Sequence, residues 1–186
     1  MTWRGARTGS AAVRTLLLGL VACAPAPQAG EPAAGERIAP AALEANKLVV
    51  RRFYAALNAQ DYAAADSLVA PGYRHYVVSD TGFRAIDWAS FKAGNASARR
   101  AFPDWELTAD LLVAEGEYVA VLAVGRGTHH GDFAGVPATG RSVRLPITTF
   151  HQVRGGRLVA DWEVVNTEPS MRALRAGTPP SAPPHN

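Results

Sequence analysis

With 186 residues and 48% hydrophobic content, the chain is long enough for one domain plus appendages, and its make-up is that of neither a repeat nor a fibre. Its 19 basic and 16 acidic residues give a formal charge of +3, but three arginines and no acids stand in the first 22 residues, leaving 16 against 16 in the rest. That balance removes the electrostatic case for binding nucleic acid.

The chain opens with Arg4, Arg7 and Arg14, followed by an apolar run from Leu16 to Ala22. A membrane span needs roughly 20 apolar residues. The run is too short for that, and residues 1–22 read as a secretion signal of basic, apolar and small-residue regions. The one cysteine, Cys23, directly follows Leu20-Val21-Ala22. Leu-Val-Ala-Cys resembles the bacterial lipobox, whose cysteine is lipidated and becomes the first residue of the mature protein. An ordinary signal peptide cut near Ala22 or Ala24 is the alternative. The expectation is a lipoprotein of the cell envelope, extracytoplasmic and held to a membrane through a lipid on Cys23. No cysteine is left for an internal disulfide or a thiolate metal site.

Residues 23–40 are rich in Pro, Ala and Gly and read as a tether. The domain proper is predicted over 41–176. Leu43, Val50, Phe53, Tyr54 and Leu57 fall at helical spacing, which predicts a helix over 43–59. Asp61 caps a second short helix with Ala64, Ala65 and Leu68, ending before Pro71-Gly72. Residues 73–78 read as a short strand. A third helix, about 87–101, takes Asp87 as its cap, turns Trp88, Phe91 and Ala98 inward, and stops before Pro103. From Trp105 the apolar period changes to two, which predicts strands over 105–114, 117–128, 142–153 and 157–166. Glu115-Gly116 and Arg154-Gly155-Gly156 suit hairpin turns. Residues 131–141 form a longer glycine-rich loop with Pro137. A last short helix is predicted over 169–176, and residues 177–186, with four prolines, form a loose tail. Helices first and strands after them predict an α+β fold in which a curved antiparallel sheet wraps the N-terminal helices.

Several segments then match a known family. Residues 46–58, with Arg51, Phe53-Tyr54 and Leu57-Asn58, resemble the opening helix of SnoaL-like polyketide and ester cyclases. Leu68-Val-Ala-Pro71-Gly-Tyr73-Arg-His75 is similar to the segment that follows it. Ala101-Phe102-Pro103-Asp104 resembles the family's turn, Gly127 to Arg141 its long loop, and Gly156 to Glu163, with Asn166 beyond, its closing strand. The resemblance covers residues 46–176. It implies the NTF2-like cone with an internal pocket, a homodimer, and intramolecular aldol ring closure without metal or organic cofactor, an acidic pocket residue moving the proton.

Aldol chemistry needs a base for the proton beside a carbonyl and a donor for the developing oxyanion. Glu163 stands at the position of the family's acid/base residue, where aspartate is usual. Asp161, at a position where the family often has histidine, lies two residues earlier, so both should face one side of the strand, about 7 Å apart, and raise each other's pKa. The bland alternative is a solvated face with two surface charges. The resemblance places His75 toward the cavity, where it could donate to a carbonyl or orient Glu163. Glu163, Asp161 and His75 are the catalytic candidates. His129, Thr149, Asn166, Tyr54 and Trp162 are the substrate-binding candidates, although His129 could instead hold the loop, and the aromatics could simply be core. His129, His130 and Asp132 fit no standard metal spacing. Three functions follow as expectations. One is a lyase or isomerase acting on a small apolar carbonyl compound with Glu163 as general base. The others are a ligand-binding lipoprotein without catalysis and a scaffold dimerising through its sheet. An extracytoplasmic address argues against an assembly-line role, so a polyketide substrate is not implied.

Overall fold

The computed structural model describes residues 39–176. The predicted leader, Cys23, the tether up to residue 38 and the tail over 177–186 lie outside the described residues. The elements run α1 (Pro40–Asn58), α2 (Tyr62–Leu68), β1 (Val69–Ser79), β2 (Gly82–Asp87), α3 (Trp88–Ala101), β3 (Glu106–Glu115), β4 (Tyr118–Thr128), β5 (Ser142–Arg154), β6 (Arg157–Val165) and α4 (Glu168–Arg175).

Pro40 sits in the first turn of α1, where its missing N–H costs nothing, so the helix starts earlier than the apolar period suggests. Val50, Phe53, Tyr54 and Leu57 form its buried stripe. Asp61 caps α2, accepting from the Ala64 N–H at 2.9 Å, and Asp87 caps α3, accepting from Ser90 N–H at 2.8 Å.

The six strands form one unclosed sheet in the order β2-β1-β6-β5-β4-β3. The sheet is mixed, which corrects the expectation of a wholly antiparallel one: β1 pairs with β6 in parallel, and every other pairing is antiparallel. A parallel pair needs a long crossover rather than a hairpin, and here α3 and the β3–β5 meander supply it. β1 is longer than predicted. It passes Pro71-Gly72 through a register shift between Val69 and Arg74, with Gly72 at φ 80°. β2 is an unpredicted edge strand, joined to β1 across Asp80-Thr81. It buries little, so it carries no period-two signal.

The core forms where α1 lies against Val119, Val121 and Ala123 of β4, Ile147 and Val153 of β5, and Leu158 of β6. A smaller cluster of Ala101, Phe102, Val136, Met171 and Leu174 packs the end of α3 against α4 and the loop after β4. Asn58 pairs with both backbone groups of Leu107 at 2.9 Å each. The buried Arg99 guanidinium donates to the Leu57 carbonyl at 2.8 Å and to that of Trp105. These bonds fix the end of α1, α3 and the start of β3 as one frame around a hollow against the sheet.

Candidate active site

The hollow has a volume of about 320 Å³ and a mostly apolar wall that includes Phe53, Leu57, Phe91, Trp105 and Leu107. That is the low end of the size expected for a small-molecule site. Its polar groups come from one patch of the sheet. Strand register places His75, Asp161 and His151 side by side on β1, β6 and β5. One step along the same face, Glu163 lies between Val77 and Thr149. Alternation along each strand therefore gathers these side chains on the inner face.

Asp161 is the hub. It is 2% exposed, and its two oxygens are divided among three neighbours. His75 Nδ1 lies 2.6 Å from Oδ1, and the Tyr73 hydroxyl donates to Oδ2 at 2.6 Å. His151 Nδ1 approaches Oδ2 at 3.5 Å, close enough for charge attraction but too long for a well-formed hydrogen bond. His151 Nε2 shares a hydrogen bond with the Tyr54 hydroxyl at 3.1 Å. Tyr54 thereby joins α1 to the sheet beneath the pocket.

Burial alone would raise the Asp161 pKa, but His151 through its close approach and charge, and His75 through its hydrogen bond and charge, outweigh it and hold the carboxyl at about 2. The expectation that the two acids raise each other's pKa thus fails for Asp161, because its neighbours are donors. It holds for Glu163, whose carboxyl is raised first by burial; His75 and His151 pull it down and the charge of Asp161 pushes it up. For His75 burial is the largest influence and lowers the pKa. The hydrogen bond and charge of Asp161, aided by Glu163, reverse this and leave it raised. An ionised Asp161 can only accept, so His75 Nδ1 carries the hydrogen between them. Among the described residues Nε2 has no protein partner, and His75 lines the hollow. Burial pushes the Tyr54 and Tyr73 phenols well above their usual range, so both stay protonated donors.

Glu163, Asp161, His75, Thr149 and Tyr54 all line the hollow. Three predicted residues do not. Trp162 points to the outer face, stacked on Tyr76 at 5.4 Å, because it alternates with its two acidic neighbours. Asn166 is exposed past the end of β6, where its side chain accepts from the Glu168 N–H at 3.1 Å. His129 is fully buried outside the hollow. It stacks on Phe102 at 5.1 Å, with Nδ1 3.1 Å from the Thr139 hydroxyl, so it holds the loop instead of facing a ligand. The sequence reading omits His151 and Tyr73. Both stand two residues from a chosen one, Thr149 and His75, and period-two alternation would have found them. Among the described residues no group of three or more His, Cys, Asp or Glu is arranged to hold a metal ion.

The family model described as SnoaL-like polyketide cyclase matches residues 47–174. Among solved structures, AclR of Streptomyces galilaeus, a proposed hydroxylase, is 26% identical with a TM-score of 0.65, over 74% of this chain and 99% of its own. IdmH of Streptomyces antibioticus, a proposed polyketide cyclase, is 27% identical with a TM-score of 0.63, over 70% of this chain and 98% of its own. A proposed SnoaL-like polyketide cyclase of Jannaschia sp. CCS1 is 27% identical with a TM-score of 0.65, over 81% of this chain and 100% of its own. No curated protein matches the chain.

Proposed function

This chain belongs to the SnoaL-like polyketide cyclase family and has its NTF2-like fold, and from that premise we propose that it is a cofactor-independent lyase or isomerase acting on a small apolar carbonyl compound. Glu163 is the general base. Its carboxylate takes a proton from the carbon beside a carbonyl, and the electron pair moves into that carbonyl to give an enolate. In ring closure the enolate carbon bonds to a second carbonyl carbon of the same molecule. His75, charged and held by Asp161, gives its Nε2 proton to the alkoxide that forms. Glu163 ends protonated and His75 neutral, and proton exchange with solvent returns both.

The observation that carries this reading is the pairing of two differently tuned groups in one apolar hollow. Burial raises the Glu163 pKa, which makes its carboxylate a stronger base than an exposed one. Asp161 holds a proton on the imidazole of His75, which makes it a donor for an oxyanion. Tyr54 and Thr149 stand at the edge of the same patch and orient the substrate.

The test isolates the first proton transfer. 2-Octanone in deuterated water exchanges its hydrogens beside the carbonyl, and NMR follows the loss of their signal. The protein should accelerate this exchange, and Glu163→Gln should lower the acceleration by roughly a hundredfold or more. Equal exchange by both proteins would remove Glu163 as the base. Because burial raises the Glu163 pKa, its ionisation works against folding: the cost is absent when the group is protonated and develops as pH rises from the ordinary value through the raised one. Glu163→Gln should therefore be no less stable than the parent at neutral pH, which thermal unfolding checks.

A further inference from the structure

A second hollow adjoins the first. It measures about 140 Å³ and lies between α3, α4, the start of β5 and the loop after β4. Phe102, Phe133, Val143, Met171 and Leu174 wall it, and although Thr167 and Ser170 border it, the surface it presents is wholly apolar. Ala98, Trp105, Leu145 and Thr167 line both hollows. Every titratable group of the pair belongs to the first one. Unfilled apolar space costs packing energy, and a chamber with no polar partners does not favour water.

We infer that the two hollows are the head and tail chambers of one binding site, and that its ligand is a carbonyl compound with an alkyl or aryl tail running past Trp105 to lie under α4. The head-group half rests on the carbonyl chemistry proposed above, and the tail half rests on the walls alone. α4 is the roof. Met171 and Leu174 hold it down as buried side chains, and the Arg141 guanidinium anchors it by donating to the Ala173 carbonyl at 2.7 Å. The side chains of α4 therefore set the tail length that the site accepts.

A series of 2-alkanones from 2-butanone to 2-dodecanone tests this, with binding read from tryptophan fluorescence because Trp105 borders both chambers. Affinity should rise by roughly fourfold per added methylene and then level off where the tail chamber is full. Met171→Phe should bring the plateau to shorter chains, and Met171→Ala should move it to longer ones, with 2-butanone binding unchanged in both. Should the bulkier variant not fold, the smaller one still decides the matter. Affinity that does not depend on chain length, or a plateau that neither variant moves, would overturn the tail chamber. Glu163→Gln separates the two readings. A variant that loses exchange and keeps the chain-length series supports both readings, whereas a parent that shows the series and no exchange refutes the head-group chemistry and leaves the tail chamber standing.

Discussion

Asp161 keeps its charge where water is nearly absent, and the histidines and tyrosine around it are what make that possible. Its folded pKa of about 2 lies below the ordinary 3.8. The stabilisation this represents is fully present above the ordinary value and is lost as pH falls through the folded one; it is on the order of 2 kcal/mol. His75 has the opposite sign. Its pKa is raised, so its share is present below 6.5 and is lost as pH rises through the higher folded value. If Glu163 must be ionised and His75 protonated, 2-octanone exchange should follow a bell in pH, with both limbs above the ordinary 4.5 and 6.5 of the free groups. Asp161→Asn removes the carboxylate charge that raises His75 and leaves the burial that lowers it. Its alkaline limb should therefore shift to lower pH, together with the His75 titration followed by NMR. An alkaline limb that stays in place while the His75 titration moves would show that a charged His75 is not what stabilises the enolate oxygen in this exchange.

Among the elements, α1, α3 and the strands from Glu106 onward are legible in the sequence because their inward residues keep a regular spacing. β2 is not legible, since an edge strand that buries almost nothing leaves no period. The parallel pairing of β1 with β6 is not legible either, because partners so far apart in the chain leave no local mark. The site follows the same logic. Alternation is enough to set Asp161 and Glu163 on one face, and it also rules out Trp162, whose selection as a ligand contact contradicts it. Gly125 shows a constraint with no sequence signature at all. A Cβ there would run into the Trp105 indole, which fills the space a side chain would take. Gly125→Ala should force that ring aside at a cost of about 1–3 kcal/mol, measurable by denaturant unfolding. Because Trp105 borders both chambers, the same variant should weaken long-chain 2-alkanones more than 2-butanone.

At the scale of the whole molecule, the sheet has a second face that the pocket does not use. Leu111 and Val113 of β3, Leu122 of β4, Phe150 of β5 and Val164 of β6 are all about half exposed on it. Register joins them into one patch: Leu111 lies opposite Leu122, Leu122 and Val164 both flank Thr148, and Phe150 pairs with Ala120 and with Trp162. Tyr76 and Tyr118 extend the aromatic end around Trp162. A contiguous apolar face of this kind marks an interaction surface. The described residues, 39–176, hold 15 basic and 14 acidic side chains, which puts little net repulsion between copies of the folded part. A second copy meeting this face through a two-fold axis would bury it on both partners at once, so the expected species is a homodimer, as the family resemblance also implies. Light scattering on the eluted protein should give a dimer mass, and Leu122→Lys with Phe150→Lys should weaken the dimer by roughly thirtyfold or more. Both side chains are already half in water, so the double variant should still fold. It should also still exchange 2-octanone, because Asp161 and Glu163 face the hollow on the opposite side of the sheet from Trp162. A parent protein that elutes as a monomer at micromolar concentration would leave this face without the partner assigned to it.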